Sequence, residues 1–367
     1  MKVLTVFGTR PEAIKMAPLV EMLNEDKDIE SVLAVTAQHR EMLDQAMSLF
    51  NMKPDHDLDI MEKNQMIEQI TSRVMIGVSE IIKKESPDII LVHGDTTTTF
   101  ASALAAFNNK IKIGHVEAGL RSYDRYSPFP EEMNRVLTDH LSDLHFAPTA
   151  LNKENLIKEG IPKDKIYVTG NTVIDTLLKV SELDYEFEDE VLRQIDFNRK
   201  IITLTCHRRE NLGDNMENIF RALLRITSDF PDTTVIYPVH LNPKVQKYAD
   251  EILKNNERIH LIPPLSYQQF VNLLKNSYLI VTDSGGIQEE APSLGKPVLL
   301  ARSGTERPDA IKAGTVKSVS VEESLIYNNI RNLLLNAEGY NKMARAVNPY
   351  GDGFASKRII KILKERV

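Results

Sequence analysis

Short apolar, β-branched runs alternate along this chain with longer amphipathic stretches. In the first half the runs predict strands at Val3–Phe7, Ser31–Thr36, Asp88–His93, Ile111–Val116 and Lys165–Thr169. Between them, residues such as Pro11–Asn24, Met66–Lys84 and Thr96–Asn108 carry helical patterns. An alternating βαβα order predicts a parallel sheet covered by helices on both faces. The order resumes with strands predicted at Lys200–Cys206, Thr233–Val239, Arg258–Leu261, Tyr278–Thr282, Pro297–Leu300 and Val316–Val319. Between the two series, Lys179–Asn198 is rich in charge and poor in apolar positions at strand spacing. The junction is therefore expected near Gly170–Asp196, with residues 1–170 and 171–354 forming two Rossmann-like, doubly wound α/β domains. Open α/β sheets bind ligands beyond the carboxyl ends of their strands, so the cleft between two such domains is the expected site.

The strand ends carry the candidate chemistry. The first ends in "FGTRPEAIK", where Thr9 and Glu12 have capping-box spacing and Arg10 and Lys15 flank the helix start. They read either as solvated charges on a well-capped helix or as two cations near the inter-domain cleft. "HGDTTTTF" puts Asp95 at a strand end, where it is an N-cap or a working carboxylate. In "GHVEAGLRS", His115 and Glu117 are expected to share one side if the strand persists. A carboxylate at the end of an apolar strand is costly unless used or paired. "YSPFPEEMNR" opens a helix with Glu131 and Glu132. Asp95, Glu117 and Glu131 thus gather at one sheet edge and suit proton transfer between a base and an acid.

The second half supplies cations and amides. "CHRRENLGDN" sets His207, Arg208 and Arg209 at a strand end, where they suit a phosphate or a departing diphosphate. His240 follows the next strand, and Arg307 precedes a helix that starts with proline. In "VTDSGGIQEE" the amides of Ser284, Gly285 and Gly286 suit a diphosphate at a helix start. One carboxylate a turn further on is placed to accept from ribose hydroxyls, and spacing alone leaves Glu289 and Glu290 both open.

Composition narrows the class. The 367 residues are 42% hydrophobic and 26% charged, as in a globular protein of two domains. A net charge of -7 argues against a general nucleic-acid surface. The single cysteine, Cys206, ends an apolar strand and reads as an inert core thiol in a reducing compartment. No apolar run reaches the length of a membrane span, and the start of the chain lacks a signal peptide, so a cytoplasmic protein is expected. No G-x-G-x-x-G follows the first strand, no Walker A motif occurs, and the histidines lack metal-ligand spacing. An enzyme with no metal and no added cofactor, acting on a nucleotide-linked substrate, is the expectation.

Ten motifs in order resemble the non-hydrolysing UDP-N-acetylglucosamine 2-epimerases: "FGTRPEAIKMAPL", "TAQHREMLDQ", "HGDTTTTF", "GHVEAGLRS", "SPFPEEMNR", "GNTVIDTL", "HRREN", "TDSGGIQEEAPSLGKPVL", "ERPDA" and "NPYGDG". The resemblance implies a GT-B fold with the site between two domains and a C-terminal helix, about residues 355–367, joining the first. It implies interconversion of UDP-GlcNAc and UDP-ManNAc through elimination and re-addition of UDP, by way of 2-acetamidoglucal and without a cofactor. It implies that Arg10, Lys15, Asp95, Glu117, His207, Phe270, Ser284, Gly285, Gly286, Glu290 and Arg307 touch the nucleotide sugar, which selects Glu290 over Glu289. Asp95, Glu117 and Glu131 would share the proton transfers and sugar-ring stabilisation in an order left open, with His207 as a cation on the diphosphate. The resemblance further implies a homodimer that supplies ManNAc units for polysaccharide synthesis. Gln38, His39, Arg40 and His240 resemble parts of a second UDP-GlcNAc site that activates some bacterial members. Leu265 departs from the glutamine that some relatives place beside the base. A GT-B glycosyltransferase and a non-catalytic nucleotide-sugar sensor are the alternatives that share this scaffold.

Overall fold

The protein is described by a computed structural model covering residues 1–37, 40–62, 65–302, 304–305 and 307–367. It forms two compact units, Met1–Thr176 with Tyr350–Val367, and Leu177–Pro349.

The first unit holds strands β1 (Lys2–Phe7), β2 (Glu30–Val35), β3 (His56–Asp57), β4 (Ile89–His93), β5 (Lys112–Val116), β6 (Leu144–Ala147) and β7 (Ile166–Val168). They make a seven-stranded sheet in the order β3-β2-β1-β4-β5-β6-β7. Every pairing is parallel, with Leu4 of β1 opposite Val32 on one side and Ile90 on the other. Two of these strands have no counterpart among the predicted elements. β3 is the dipeptide His56-Asp57, defined by its pairing with Ala34 and Val35 and not by any apolar pattern. β6 is four buried residues, Leu-His-Phe-Ala, too short to announce a period. The strand expected to begin at Lys165 begins at Ile166, because Lys163–Lys165 closes a 3-10 turn.

The C-terminal helix Ala355–Arg366 folds into this same unit and packs on the helix Arg10–Glu25. It buries Ile359, Ile360 and Leu363. Its first amides, at Ala355 and Ser356, donate to Asp175 at 3.1 and 2.7 Å, which satisfies donors that a helix start leaves open. Lys364 pairs with Asp26 at 2.8 Å and Asp28 at 3.0 Å.

The second unit holds β8 (Lys200–Thr205), β9 (Thr233–Pro238), β10 (Ile259–Ile262), β11 (Leu279–Thr282), β12 (Val298–Ala301) and β13 (Val316–Val319). This six-stranded parallel sheet runs β10-β9-β8-β11-β12-β13. Alternate residues feed its two faces. Ile202, Leu204, Val235 and Tyr237 pack with Phe220 and Leu223, while Ile201 and Ile236 pack with Leu192 and Leu273. Among the described residues no helix is long and apolar enough to cross a membrane.

Strand order places the loops that matter. In the first sheet the order reverses between β1 and β4, and in the second between β8 and β11. Crossovers leave in opposite directions at such a point and open a crevice at the carboxyl ends of the two strands. The residues there are Gly8–Arg10 and Gly94-Asp95 in the first unit, and His207 with Asp283–Gly286 in the second.

Candidate active site

At the end of β1, Thr9 caps the helix Arg10–Glu25 and Glu12 closes the capping box. The Glu12 carboxylate is buried and accepts from the amides of Gly8 and Thr9 at 3.1 and 2.8 Å and from the Thr96 hydroxyl at 2.9 Å. Burial raises its pKa, against the pull of these bonds. Gly8 must lack a side chain, because a Cβ there would sit 2.1 Å from the Thr36 hydroxyl oxygen and 2.7 Å from that of Thr98. Arg10 is the first residue of the helix and half-buried.

Glu117 lies one residue beyond β5 with φ +67°, the left-handed region that non-glycine residues seldom occupy outside constrained sites. The strand therefore stops before Glu117, and the condition under which His115 and Glu117 would share a side is not met. His115 turns inward. Its Nδ1 is 2.6 Å from Asp139 Oδ1, and its Nε2 is 2.8 Å from the Gly94 carbonyl. Glu117, also buried, takes the Lys15 ammonium as an ion pair and the Asn171 amide at 2.7 Å. His93 Nε2 is 3.8 Å from the same carboxylate. Neither ring nitrogen of His93 has a hydrogen-bond partner among the described residues, and burial pushes this imidazole down to about 3. His93 is thus an uncharged neighbour of Glu117 at neutral pH.

Asp95 and Glu131 line one cavity of about 470 Å³, together with Thr9, Pro11, Thr96 and Asn134. The helix Glu131–Leu141 accounts for the arrangement. Glu131, Asn134 and Arg135 lie one turn apart on one face. Asn134 donates to the Asp95 carbonyl at 2.9 Å, and Arg135 Nε donates to the Asp95 carboxylate at 3.0 Å. Glu131 keeps a buried oxygen, Oε2, with no hydrogen-bond partner among the described residues. A buried acceptor left unmade costs free energy, which favours a donor arriving from a ligand. Its neighbour Glu132 instead braces the structure, accepting from the amides of Ser122 and Tyr123 at 3.0 and 2.9 Å and from Arg135 at 3.0 Å.

In the second unit, His207 sits at the end of β8 and is half-buried. Burial is the main influence on its ring and lowers its pKa; Asp283 acts the other way, while His240 and Arg208 add to the lowering. The unliganded ring is therefore mostly neutral near pH 7. His240, exposed, stacks on it with ring centroids 5.2 Å apart. Cys206 is buried, and burial followed by Asp283 holds its thiol protonated, in keeping with an inert core residue.

The turn after β11 differs from its expected form in two respects. The helix that follows, Ile287–Glu290, is a single turn continued by a 3-10 segment, Ala291–Leu294. The Ser284 amide donates to Thr282 Oγ1 at 2.9 Å. A Cβ on Gly285 would lie 2.6 Å from Arg307 Nη1, so glycine at this position lets the guanidinium lie over the turn. Arg307 Nε donates to the buried Glu289 carboxylate. Glu290 is half-buried and accepts from the Tyr267 hydroxyl at 3.2 Å. Tyr267 stands one turn before Phe270 on the helix Tyr267–Asn276. Leu265 packs against the cluster of Ile201, Ile262 and Leu273.

The residues that resemble an activator site are divided. Arg40 is bound to Asp57 and Asp59, each at 2.6 Å, while Gln38 and His39 lie outside the described residues.

Two connections of one sheet, after β4 and after β5, thus carry Asp95, Glu117 and Glu131 at its carboxyl edge. His207, the glycine turn and Arg307 occupy that of the second. The sequence profile described as UDP-N-acetylglucosamine 2-epimerase matches residues 21–364. The chain belongs to the UDP-N-acetylglucosamine 2-epimerase family. It is 53% identical over 363 residues to the UDP-N-acetylglucosamine 2-epimerase of Bacillus subtilis, covering 99% of this chain and 95% of that one. The solved 2-epimerase of Neisseria meningitidis, bound to UDP-GlcNAc, is 50% identical, covers all of both chains and superposes with a TM-score of 0.89. The S. aureus MnaA–UDP structure is 49% identical with a TM-score of 0.87, covering 99% of this chain and 96% of its own. Membership makes the chain an isomerase of the epimerase kind, with the two-domain α/β fold of GT-B type.

Several residues that shape this 2-epimerase scaffold are not among the candidate site residues read from the sequence: His93, Asn134, Arg135, Asp139, Asn171 and Asp283. Asn134 and Arg135 were findable, since they fall at i+3 and i+4 from Glu131. Asn171 lies in the motif "GNTVIDTL", remote in sequence from Glu117, and only the fold brings the two together.

Proposed function

We propose that this protein interconverts UDP-GlcNAc and UDP-ManNAc by eliminating UDP and adding it back. A carboxylate takes the C2 proton, the C2–H electrons form the C1=C2 bond of 2-acetamidoglucal, and the C1–O electrons leave with UDP. Return of a proton to the other face of C2, with the diphosphate oxygen rejoining C1, gives the epimer. The observation that carries this reading is the pairing of Asp95 with Glu131 on one cavity, where a buried Glu131 oxygen awaits a donor. Glu117 joins them in the proton transfers and in stabilising the sugar ring, its charge balanced by Lys15. The second unit, Leu177–Pro349, binds UDP in this proposal. Gly285, Gly286 and Arg307 hold the diphosphate beside Ser284, Glu290 holds the ribose, and Phe270 contacts the nucleoside. His207 protonates as the diphosphate arrives and stabilises it as it departs. The UDP-GlcNAc and UDP found on the two solved relatives support this substrate class. Family resemblance extends the proposal to a homodimer without added cofactor that supplies ManNAc units for polysaccharide synthesis, with a second UDP-GlcNAc site of the kind that activates some bacterial members, and composition to a cytoplasmic location.

Incubation with UDP-GlcNAc alone, followed by NMR of the sugar and the phosphates, tests the reaction. UDP-ManNAc is the expected product. Free ManNAc as sole product, or no reaction until an acceptor is added, would replace this reading with a hydrolase or a glycosyltransferase; binding without turnover would make the protein a sensor.

Two variants probe the binding assignment. Arg10→Ala is expected to weaken UDP-GlcNAc binding about tenfold or more, in line with ~1.5–3 kcal/mol for a charge-assisted contact, with little change in urea midpoint. Calorimetry showing unchanged affinity would remove Arg10 from the site. Gly285→Ala is expected to push Arg307 off the turn and to cost UDP affinity while leaving the fold intact; wild-type affinity would show that the guanidinium position is immaterial.

A further inference from the structure

The Asp283 side chain is fully buried between the two strand ends of the second switch point. One oxygen, Oδ2, accepts three bonds: the His207 and Arg208 amides at 2.9 Å each, and Asn211 Nδ2 at 3.1 Å. Asn211 in turn donates to the Ala301 carbonyl at 3.1 Å, which ties the loop to β12. The other oxygen, Oδ1, has no hydrogen-bond partner among the described residues and lies 3.5 Å from His207 Nδ1. A buried carboxylate with one saturated oxygen and one facing an imidazole is the arrangement that sets a histidine tautomer.

We propose that Asp283 is the positioning residue of His207, holding the loop through Oδ2 and the ring's Nδ1 proton through Oδ1, so that Nε2 meets the leaving diphosphate. The charged and titratable groups facing the ring are Asp283 from the end of β11, His240 from beyond β9, and Arg208 beside it. The Cys206 thiol faces Asp283 and stays protonated. Of these groups Asp283 alone carries negative charge, so it alone favours the imidazolium. Its attraction is outweighed by burial in the unliganded protein. A diphosphate adds negative charge on the other side of the ring and tips the balance. The inference rests on the proposed role of His207 in the reaction, and the two can fail separately.

The test is NMR of histidine ring nitrogens in the ¹⁵N-labelled full chain, with His207 assigned by its loss in His207→Asn. In the wild type the neutral ring is expected to carry its proton on Nδ1. With UDP bound, His207 should titrate about one pH unit or more higher in the wild type than in Asp283→Asn. The alkaline limb of kcat should move down by the same amount, with kcat falling more than KM changes. A neutral wild-type ring protonated on Nε2 overturns the proposal, and this readout does not depend on Asp283→Asn, only on the His207→Asn spectrum used for assignment. Equal His207 titration in wild type and Asp283→Asn overturns it as well, leaving Asp283 a brace of the loop alone. If the ring titrates as expected but His207→Asn keeps full kcat, the Asp283–His207 coupling stands and the catalytic reading of His207 falls.

Discussion

Asp95→Asn, Glu117→Gln, Glu131→Gln and His207→Asn are each expected to lower kcat by ~10²-fold or more, the usual weight of a general acid or base. The three carboxamide changes are nearly isosteric, and Asn in place of His207 keeps a polar group near the Nδ1 position, so the fold should survive and substrate should still bind. The structure separates the variants. Asp95→Asn keeps an oxygen for Arg135 but loses the charge that Arg135 balances. Glu117→Gln removes the negative charge that the Lys15 ammonium pairs with, so it should cost stability as well as rate. Glu131→Gln puts an amide where a buried oxygen has no partner among the described residues, so its effect should fall on the chemistry alone. During slow turnover, 2-acetamidoglucal and UDP should accumulate and be visible by NMR. Near wild-type rates in all three carboxamide variants would remove the carboxylates from the proton transfers.

Asp139→Asn is expected to cost ~3–5 kcal/mol of stability, the penalty for breaking a buried ion pair. Asp139 is fully buried, with His115 Nδ1 at 2.6 Å and Arg121 Nη2 at 2.7 Å. The Gly119 amide also donates to it at 3.3 Å, and Arg121 continues to Glu159 at 2.6 Å. Through His115 and its contact with the Gly94 carbonyl, the network ties the Asp95 loop to the Glu117 loop. Burial alone would raise the Asp139 carboxyl, but the charge and hydrogen bond of His115 and the charge of Arg121 overcome it. The group is held well below the ordinary carboxylate range. A depressed folded-state pKa gives stability that is present above the unfolded value and is lost as pH falls toward the folded one. Urea titrations should therefore show the gap between wild type and Asp139→Asn at neutral pH, narrowing in acid. An unchanged urea midpoint at pH 7 would mean the network is not worth its burial.

The architecture was legible because parallel strands buried on both faces read as continuous apolar runs, and because the turns between them carry glycine, proline and capping residues. What escaped detection has physical causes. His56-Asp57 is a strand only by virtue of its neighbour β2, and Leu144–Ala147 is too short to show a period. The side on which Glu117 falls depends on a left-handed backbone angle that no side-chain pattern announces. The state of His207 depends on burial, which a strand-end position does not reveal. The candidate acids were visible as acids at strand ends. Their supports were not, since Asn171 and Asp139 act across distances in sequence that only the fold closes.

The central claim is that C2 of the sugar loses its proton and regains one from solvent. Turnover of UDP-GlcNAc in deuterium oxide measures this directly. Elimination and re-addition predict UDP-ManNAc carrying deuterium at C2, with deuterium also entering UDP-GlcNAc as the reaction reverses. UDP-ManNAc that retains its original C2 hydrogen would contradict proton abstraction at that carbon, and with it the participation of Asp95, Glu117 and Glu131 in proton transfer.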